Sequence, residues 1–157
     1  MKVSSSVETE MAAGRERAFL HIVPIPLERI FTGYGPLPAV CGTRDQQGAW
    51  DGAGQSRTVL LSDGSTAREQ LLAYRAPEYF GYRVGDFSGA LGFIARHAEG
   101  QWWFEAVGTT RTRVRWQYDF VARSWLAWPL LWLLSRLWRA YMDKALALAA
   151  RDVERLV

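Results

Sequence analysis

The feature that most constrains the fold is an alternating stretch from Arg111 to Phe120, which is followed closely by a long helical pattern. Every second side chain in this stretch is bulky or apolar, and charged or amide side chains stand between them. A period of two predicts a β-strand with one buried face and one solvated face. The predicted buried face consists of Thr112, Val114, Trp116, Tyr118 and Phe120, and the solvated face of Arg111, Arg113, Arg115, Gln117 and Asp119.

The period changes from that of a strand to that of a helix after Ser124. Because proline is tolerated only in the first turn of a helix, Pro129 predicts that the regular helix begins near Trp128. Residues 129–155 would span about 40 Å as a helix, which is enough to cross a whole sheet. We therefore expect a curved sheet to grip this helix. The predicted inward stripe of the helix is Leu131, Leu134, Trp138, Tyr141, Met142, Ala145, Leu148 and Ala149.

The chain before this stretch predicts one strand, two short helices and then a run of strands. Helical spacing over residues 12–23 is stopped by two prolines, and Leu27–Phe31 is predicted as a second short helix. Residues 88–100, which contain His97, are predicted to be a long connection. The earlier predicted strands are Val3–Met11, Val40–Gln47, Arg57–Leu61, Thr66–Arg75, Tyr79–Phe87 and Gln101–Val107.

The Asp63-Gly64 pair is the strongest hairpin signal in the chain, because both residues tolerate the positive φ angles of a type I′ turn. A two-residue turn there pairs Leu60 with Ala67, and Thr58 with Glu69. The alternation leaves both facings of the hairpin open. We favour Glu69 inward, since that choice hides one charge and the opposite facing hides two. The opposite facing would bury Val59 and Leu61 together with Arg57, Arg68 and Gln70.

Length and composition predict a globular chain with a substantial core. The 157 residues suit one domain, 1–157, with 49% hydrophobic and 22% charged residues. A single cysteine, Cys41, excludes an intramolecular disulfide, so we expect a cytoplasmic location. The uncharged run 124–135 is shorter than the roughly 20 residues that cross a bilayer, so we expect no transmembrane segment.

Charge and histidine content argue against several classes of function. The formal charge of +3 is mild, and the arginines at 111, 113 and 115 fit a solvated strand face better than a nucleic-acid site. The two histidines, His21 and His97, have no nucleophile motif beside them. No Cys/His cluster has zinc-ligand spacing, so we expect neither a metal nor a cofactor.

Several segments together carry a resemblance to a known family. They are Val3–Met11 leading into Gly14–Phe19, then Leu61–Ser65, Trp102–Phe104, Thr112–Trp116 and Trp138–Met142. Their order resembles the helix-grip fold of the START-like (SRPBCC) superfamily, which includes polyketide cyclases and lipid-transfer domains. The resemblance covers nearly the whole chain, and none of its motifs is a catalytic signature. It implies an α+β domain in which about seven antiparallel strands and the last helix enclose a cavity for a hydrophobic ligand.

The predicted ligand site follows from the inward aromatic residues of the strands and helix. An aromatic cavity of a few hundred Å³ with tyrosine hydroxyls would suit a flat or lipid-like molecule, entering near residues 88–100 and the helix start. A solid core is the alternative, and composition does not separate the two. The predicted ligand-binding residues are Tyr82, Trp102, Phe104, Trp116, Tyr118, Phe120, Trp138, Tyr141 and Met142.

Two other functions remain open from the sequence. Glu69 is the one candidate catalytic residue, since desolvation at a cavity wall would raise its pKa, as a cyclase-type enzyme needs. Pairing with an inward arginine or with a tyrosine hydroxyl is the simpler role for that carboxylate. A non-catalytic interaction protein would use the Trp-rich segment between Arg123 and Arg136. For Trp125, Trp128 and Trp132 we favour core packing over a homodimer contact, and a homodimer contact over a membrane interface.

Overall fold

The computed structural model describes residues 1–155. Seven antiparallel strands form one curved sheet in the order β1-β7-β6-β5-β4-β3-β2, and the long C-terminal helix lies across it. Two 3₁₀ turns, Leu27–Arg29 and Ala90–Phe93, accompany these elements. The predicted helix-grip α+β fold is confirmed. The bounds are β1 Lys2–Met11, α1 Arg15–Ile22, β2 Val40–Arg44, β3 Ser56–Leu61, β4 Thr66–Arg75, β5 Tyr79–Gly85, β6 Ala95–Val107, β7 Arg111–Ala122 and α2 Trp128–Glu154.

Strand β7 has the two faces that its alternation predicts, except at Asp119. This residue is expected on the solvated face but is buried, and it accepts a hydrogen bond from Gln117 Nε2. Val114, Trp116 and Phe120 are buried, while the arginines between positions 111 and 115 are exposed. The strand lies between β1 and β6, and Trp116 pairs with Trp102 of β6. The two indole rings stack with centroids 4.7 Å apart. This pair anchors the middle of the sheet.

One end of the space between sheet and helix is filled. There Phe19 of α1 packs edge-on against Phe104 of β6, with ring centroids 5.1 Å apart. Small residues of α2, among them Ala145 and Ala149, are fully buried where the helix contacts β1. Because alanine has almost no side chain, the helix lies close to the sheet and leaves no space there.

The β3–β4 hairpin differs from the predicted one by one residue of register. Val59, not Leu60, pairs with Ala67, and Arg57, not Thr58, pairs with Glu69. The turn holds three residues, 62–64: the Gly64 amide donates to the Leu61 carbonyl, and only Gly64 in this turn has a positive φ. This is the type I turn with a glycine bulge, an alternative to the type I′ turn for the same Asp-Gly pair.

The connection before β6 is also shorter than predicted. Strand β6 begins at Ala95, so His97 lies in a strand that pairs with both β5 and β7. The sequence conceals this part of the strand because Ala95, Ala98 and Gly100 are small and lack the bulky alternation that marks a strand. Ala106, near the far end of β6, is exposed although the alternation of Trp102 and Phe104 would place it inward.

Candidate functional site

A cavity of about 490 Å³ lies between the sheet and the first half of α2. Strands β3, β4, β5 and β7 form its floor, α2 forms its roof, and residues 36–38 and 87–94 stand at its sides. The surface of this cavity is mainly apolar. Its aliphatic and phenyl lining includes Leu27, Phe31, Val59, Leu61, Val84, Phe87, Leu91, Ile94, Leu130 and Leu134.

Of the nine residues predicted to bind a ligand, the structure brings five together at this cavity. They are Tyr82, Tyr118, Phe120, Trp138 and Tyr141. The other four are buried in the packed core, outside the cavity lining: Trp102, Phe104, Trp116 and Met142. Alternation identifies which side chains face inward, but it does not tell where along a strand the core gives way to a cavity. Ligand contact by the five residues stays a prediction.

Trp116 nevertheless helps to set the shape of the cavity. Its indole Nε1 donates a hydrogen bond of 3.1 Å to the hydroxyl of Tyr82. Tyr82 lies over Gly100, its partner on β6, and a Cβ at that position would overlap the phenol ring. The glycine therefore makes room for a tyrosine of the cavity wall, a role that the sequence analysis missed.

A buried ion pair forms the polar part of the site. Arg57 Nη2 donates to Glu69 Oε1 at 2.9 Å, and both side chains are buried. The other face of the Arg57 guanidinium lies 4.0 Å from the ring centre of Trp50, which is also buried. Glu69 lines the cavity, as the favoured facing predicts. The prediction that this facing hides a single charge is wrong, because the shifted register pairs Glu69 with Arg57 and both charges are buried. A buried charge held on two sides in this way is fixed in position.

Burial shifts the pKa values of three ionisable groups of the site toward their neutral forms. Burial raises the pKa of Glu69, although the charge and hydrogen bond of Arg57 act in the opposite direction. Burial also raises the pKa values of Tyr82 and Tyr118, so both phenols keep their protons near neutral pH. The ion pair of Arg57 and Glu69 thus contains a carboxylate that gains a proton more readily than an exposed glutamate does.

Two polar groups of the cavity wall remain available to a ligand. Within the described residues, Glu69 Oε2 has no hydrogen-bond partner, because Arg57 binds only Oε1. The Tyr118 hydroxyl likewise has no partner in residues 1–155 and belongs to the cavity lining. Tyr141 is already occupied, since its hydroxyl accepts from the Gly33 amide and donates to the Pro38 carbonyl at 2.9 Å each. The site can therefore both accept and donate a hydrogen bond.

The Trp-rich segment lies outside the core. Trp125 is 71% exposed, Trp128 37% and Trp132 43%, so the expectation of core packing is wrong for all three. Trp128 and Trp132 lie in the first turns of α2, and Trp125 lies in the turn before it. The sheet, however, reaches only the opposite face of α2 at this point, where Leu131 and Ser135 are buried.

The histidines lie away from the cavity. His21 Nε2 is 2.6 Å from Asp152 Oδ2, and His97 Nε2 is 3.7 Å from Glu99 Oε1. Within residues 1–155, no three His, Cys, Asp or Glu side chains are grouped so that they could hold a metal ion. In the same range, no helix combines the length and apolar character needed to cross a membrane.

The sequence matches the family described as polyketide cyclase/dehydrase and lipid transport over residues 30–154. The chain belongs to this family. The superfamily resemblance seen in the sequence is thereby confirmed. No curated protein matches the sequence.

Solved structures of similar fold extend this result. The Zhui aromatase/cyclase from a Streptomyces species has a TM-score of 0.72 at 15% identity, over 99% of this chain and 95% of that one. Norcoclaurine synthase from Thalictrum flavum, in complex with dopamine and hydroxybenzaldehyde, has a TM-score of 0.67 at 12% identity, over 98% and 87%. The protein XoxI from Bacillus cereus has a TM-score of 0.65 at 14% identity, over 96% and 95%. At these identities the likeness concerns the fold alone.

Proposed function

We propose that the protein binds a small, mainly apolar molecule in the cavity between the sheet and α2. The observation that carries the proposal is the cavity itself, about 490 Å³ in volume and lined largely by aliphatic and aromatic side chains. That volume lies within the range of small-molecule sites, roughly 300–1,000 Å³. An apolar ligand is favoured because it would leave water for an apolar wall.

The polar part of the wall narrows the chemistry of the ligand. Glu69 Oε2 and the Tyr118 hydroxyl have no hydrogen-bond partner within residues 1–155. The buried Trp138 Nε1, a nitrogen of the cavity wall, has none in that range either. A buried polar group gains most from a hydrogen bond when water is excluded. We therefore infer that the ligand carries at least one polar group, such as a carbonyl or a hydroxyl, that reaches this part of the cavity.

The comparisons support this proposal at the level of the family. The family description includes both cyclisation of polyketides and transport of lipids, which are large apolar or aromatic molecules. One structure of similar fold holds dopamine and hydroxybenzaldehyde, both small aromatic molecules with polar substituents. A cavity with a mainly apolar wall and few polar groups fits a ligand of the same general kind.

A fluorescent acyl-naphthylamine dye tests the proposal, because its rings are apolar and its carbonyl accepts a hydrogen bond. We expect saturable binding with a blue-shifted emission, and about five-fold weaker binding by Tyr118→Phe, which removes one hydrogen bond of about 1 kcal/mol. Tyr79→Phe is the matched control, since that hydroxyl bonds Gln101 outside the cavity at 2.9 Å. Absence of saturable binding, or equal weakening by both variants, would contradict the proposal.

A second candidate function is proton transfer by Glu69 on a bound substrate. The specific observation in its favour is a carboxylate with a raised pKa and one free oxygen at a cavity wall. Such a group can give up a proton to a substrate carbonyl or take one from an adjacent carbon. Glu69→Gln should then lower turnover about 10²–10⁴-fold while dye binding persists. Unchanged turnover of an identified substrate by this variant would leave only the binding function.

A further inference from the structure

The first turns of α2 and the neighbouring 3₁₀ turn present a group of apolar side chains to solvent. We call it the docking patch, defined by Phe93, Trp125, Leu126, Leu130, Trp132 and Leu133. Phe93 is 83% exposed and Leu133 61%. Isolated exposed leucines are common on proteins, but large apolar side chains gathered at one end of a molecule mark an interaction surface.

Local geometry holds the docking patch together. Leu130 and Leu133 are three residues apart, which places them on one side of the first turns of α2. Leu126 lies in the turn that leads into the helix. Arg123 ties the 3₁₀ turn to this side, because its Nε donates to the Gly92 carbonyl at 2.9 Å and its amide donates to the Ile94 carbonyl. Phe93 therefore lies beside the helix start.

The charges around the docking patch are all positive along this part of the chain. Residues 120–142 contain no acidic side chain, and their charged residues are Arg123, Arg136 and Arg139. Arg136 and Arg139 follow Leu133 by about 4.5 and 9 Å along the helix axis. They therefore form a cationic rim immediately after the apolar surface.

Three cationic side chains line a groove beside the docking patch. It has a volume of about 380 Å³ and lies between the start of β1 and α2, with Lys2, Arg136 and Arg139 in its lining. Within the described residues none of these three forms an ion pair. The Arg136 guanidinium lies 5.1 Å from the ring centre of Trp132, which holds the charge next to the aromatic surface. The groove thus offers unpaired positive charge beside exposed indole rings.

We propose that the docking patch binds the surface of an anionic phospholipid bilayer, with the lipid phosphates at Lys2, Arg136 and Arg139. Apolar and Trp side chains bordered by arginine suit the interface between head groups and acyl chains. A second copy of the chain fits less well, because its patch would bring the same unpaired cations toward these ones. Leu130 belongs to both the patch and the cavity lining, so the cavity opens beside the bound lipid.

Sedimentation with vesicles tests this proposal without any cavity ligand, so its outcome is independent of the binding function. The vesicles are phosphatidylcholine alone, or phosphatidylcholine with phosphatidylglycerol as the anionic lipid. We expect binding to the anionic vesicles, with a blue shift of tryptophan emission, and much weaker binding to the neutral ones. High salt should release the protein, because the attraction to anionic lipid is screened.

Variants at the two ends of the molecule identify the surface. Leu133→Glu should weaken vesicle binding at least about ten-fold, because it places a charge where the leucine side chain would enter the bilayer. Leu20→Glu is the matched control, since Leu20 is an exposed leucine of α1, 51% accessible. That helix lies against the opposite end of α2, where His21 meets Asp152. The double variant Arg136→Gln with Arg139→Gln should bind anionic vesicles about ten-fold more weakly, with no change in its weak binding to neutral vesicles.

Three results would overturn the proposal. The first is no binding of the unmodified protein to anionic vesicles. The second is equal weakening by Leu20→Glu and Leu133→Glu. The third is a dimer in solution, seen by sedimentation velocity without lipid, that Leu133→Glu dissociates; a second copy would then be the occupant of the patch.

Discussion

The two halves of α2 meet very different surroundings. In the C-terminal half, Met142, Ala145 and Ala149 are fully buried against a filled core. In the N-terminal half, Leu134 and Trp138 cover a cavity, and Leu133 on the outer side is exposed. One continuous helix therefore closes a solid core at one end and roofs an open space at the other. The contrast separates residues that stabilise the fold from those available for binding.

The same division runs through β7. Trp116 stacks on Trp102, is shielded from solvent and does not itself line the cavity. Phe120, four residues later, faces the cavity and lies 6.1 Å from the Trp138 ring centre. A side chain that borders empty space has fewer packing partners to lose. Substitutions on the two sides of this division should therefore differ in their cost to stability.

The largest effect is expected for removal of the indole ring at the filled end. Trp116→Ala should lower the free energy of unfolding by about 3–5 kcal/mol, because it leaves a large void and removes the hydrogen bond to Tyr82. Phe120→Ala should cost clearly less, since its site already adjoins a cavity. Urea unfolding of both variants checks the order. Equal losses would mean that the cavity is collapsed or filled in solution.

Larger side chains at the packed site and at the cavity wall should change stability by smaller amounts. Ala149→Leu adds carbon atoms where α2 lies against the core, and should destabilise the protein by about 1–3 kcal/mol. Ala67→Leu adds the same atoms to the cavity wall, where there is space for them. It should leave stability nearly unchanged and weaken binding of the acyl-naphthylamine dye. A strongly destabilised Ala67→Leu protein would show that the cavity wall is as tightly packed as the core.

The smallest effect concerns the ion pair between α1 and the C-terminal half of α2. Burial alone would raise the pKa of Asp152, but the hydrogen bond and charge of His21, with the charge of Arg29, lower it. A carboxyl group whose folded-state pKa is lowered stabilises the fold above its unfolded pKa of about 3.9, and this contribution is lost as the pH falls through the folded value. Asp152→Asn should therefore cost about 1 kcal/mol near neutrality and nothing in acid.

Urea unfolding of both proteins across this pH range provides the check. A difference between Asp152→Asn and the unmodified chain that stays constant into acid would show that the carboxylate charge makes no contribution. The cavity should not be affected, because the ion pair lies at the other end of α2.

Much of the fold was predictable because its strongest patterns are local. The alternation of β7 and the position of Pro129 placed the last strand and the start of α2 correctly. The inward aromatic residues of β6 and β7 followed from the same alternation. Five of the nine predicted site residues lie at the cavity for this reason. Periodicity shows which side chains point inward. It does not separate core residues from cavity residues, because both point inward.

Three features of the structure could not be predicted, because local sequence patterns allow more than one arrangement at each. An Asp-Gly pair suits either a two-residue or a three-residue hairpin turn, so the β3–β4 register could not be decided. Trp50 lies in a glycine-rich loop and has φ of 58°, an uncommon conformation for a bulky residue, so its packing on Arg57 was not foreseen. The exposure of Trp125 depends on where the sheet ends, which no local pattern reports.

The pairing of β1 with β7 has a consequence for how the chain folds. Lys2 pairs with Val121, and among residues 1–155 β7 is the only strand beside β1. During synthesis, the first strand must therefore wait until nearly the whole sheet has left the ribosome. Contacts between such distant parts of a chain close slowly. We accordingly expect the meander from β2 to β7 to form first and the N-terminal strand to be added late.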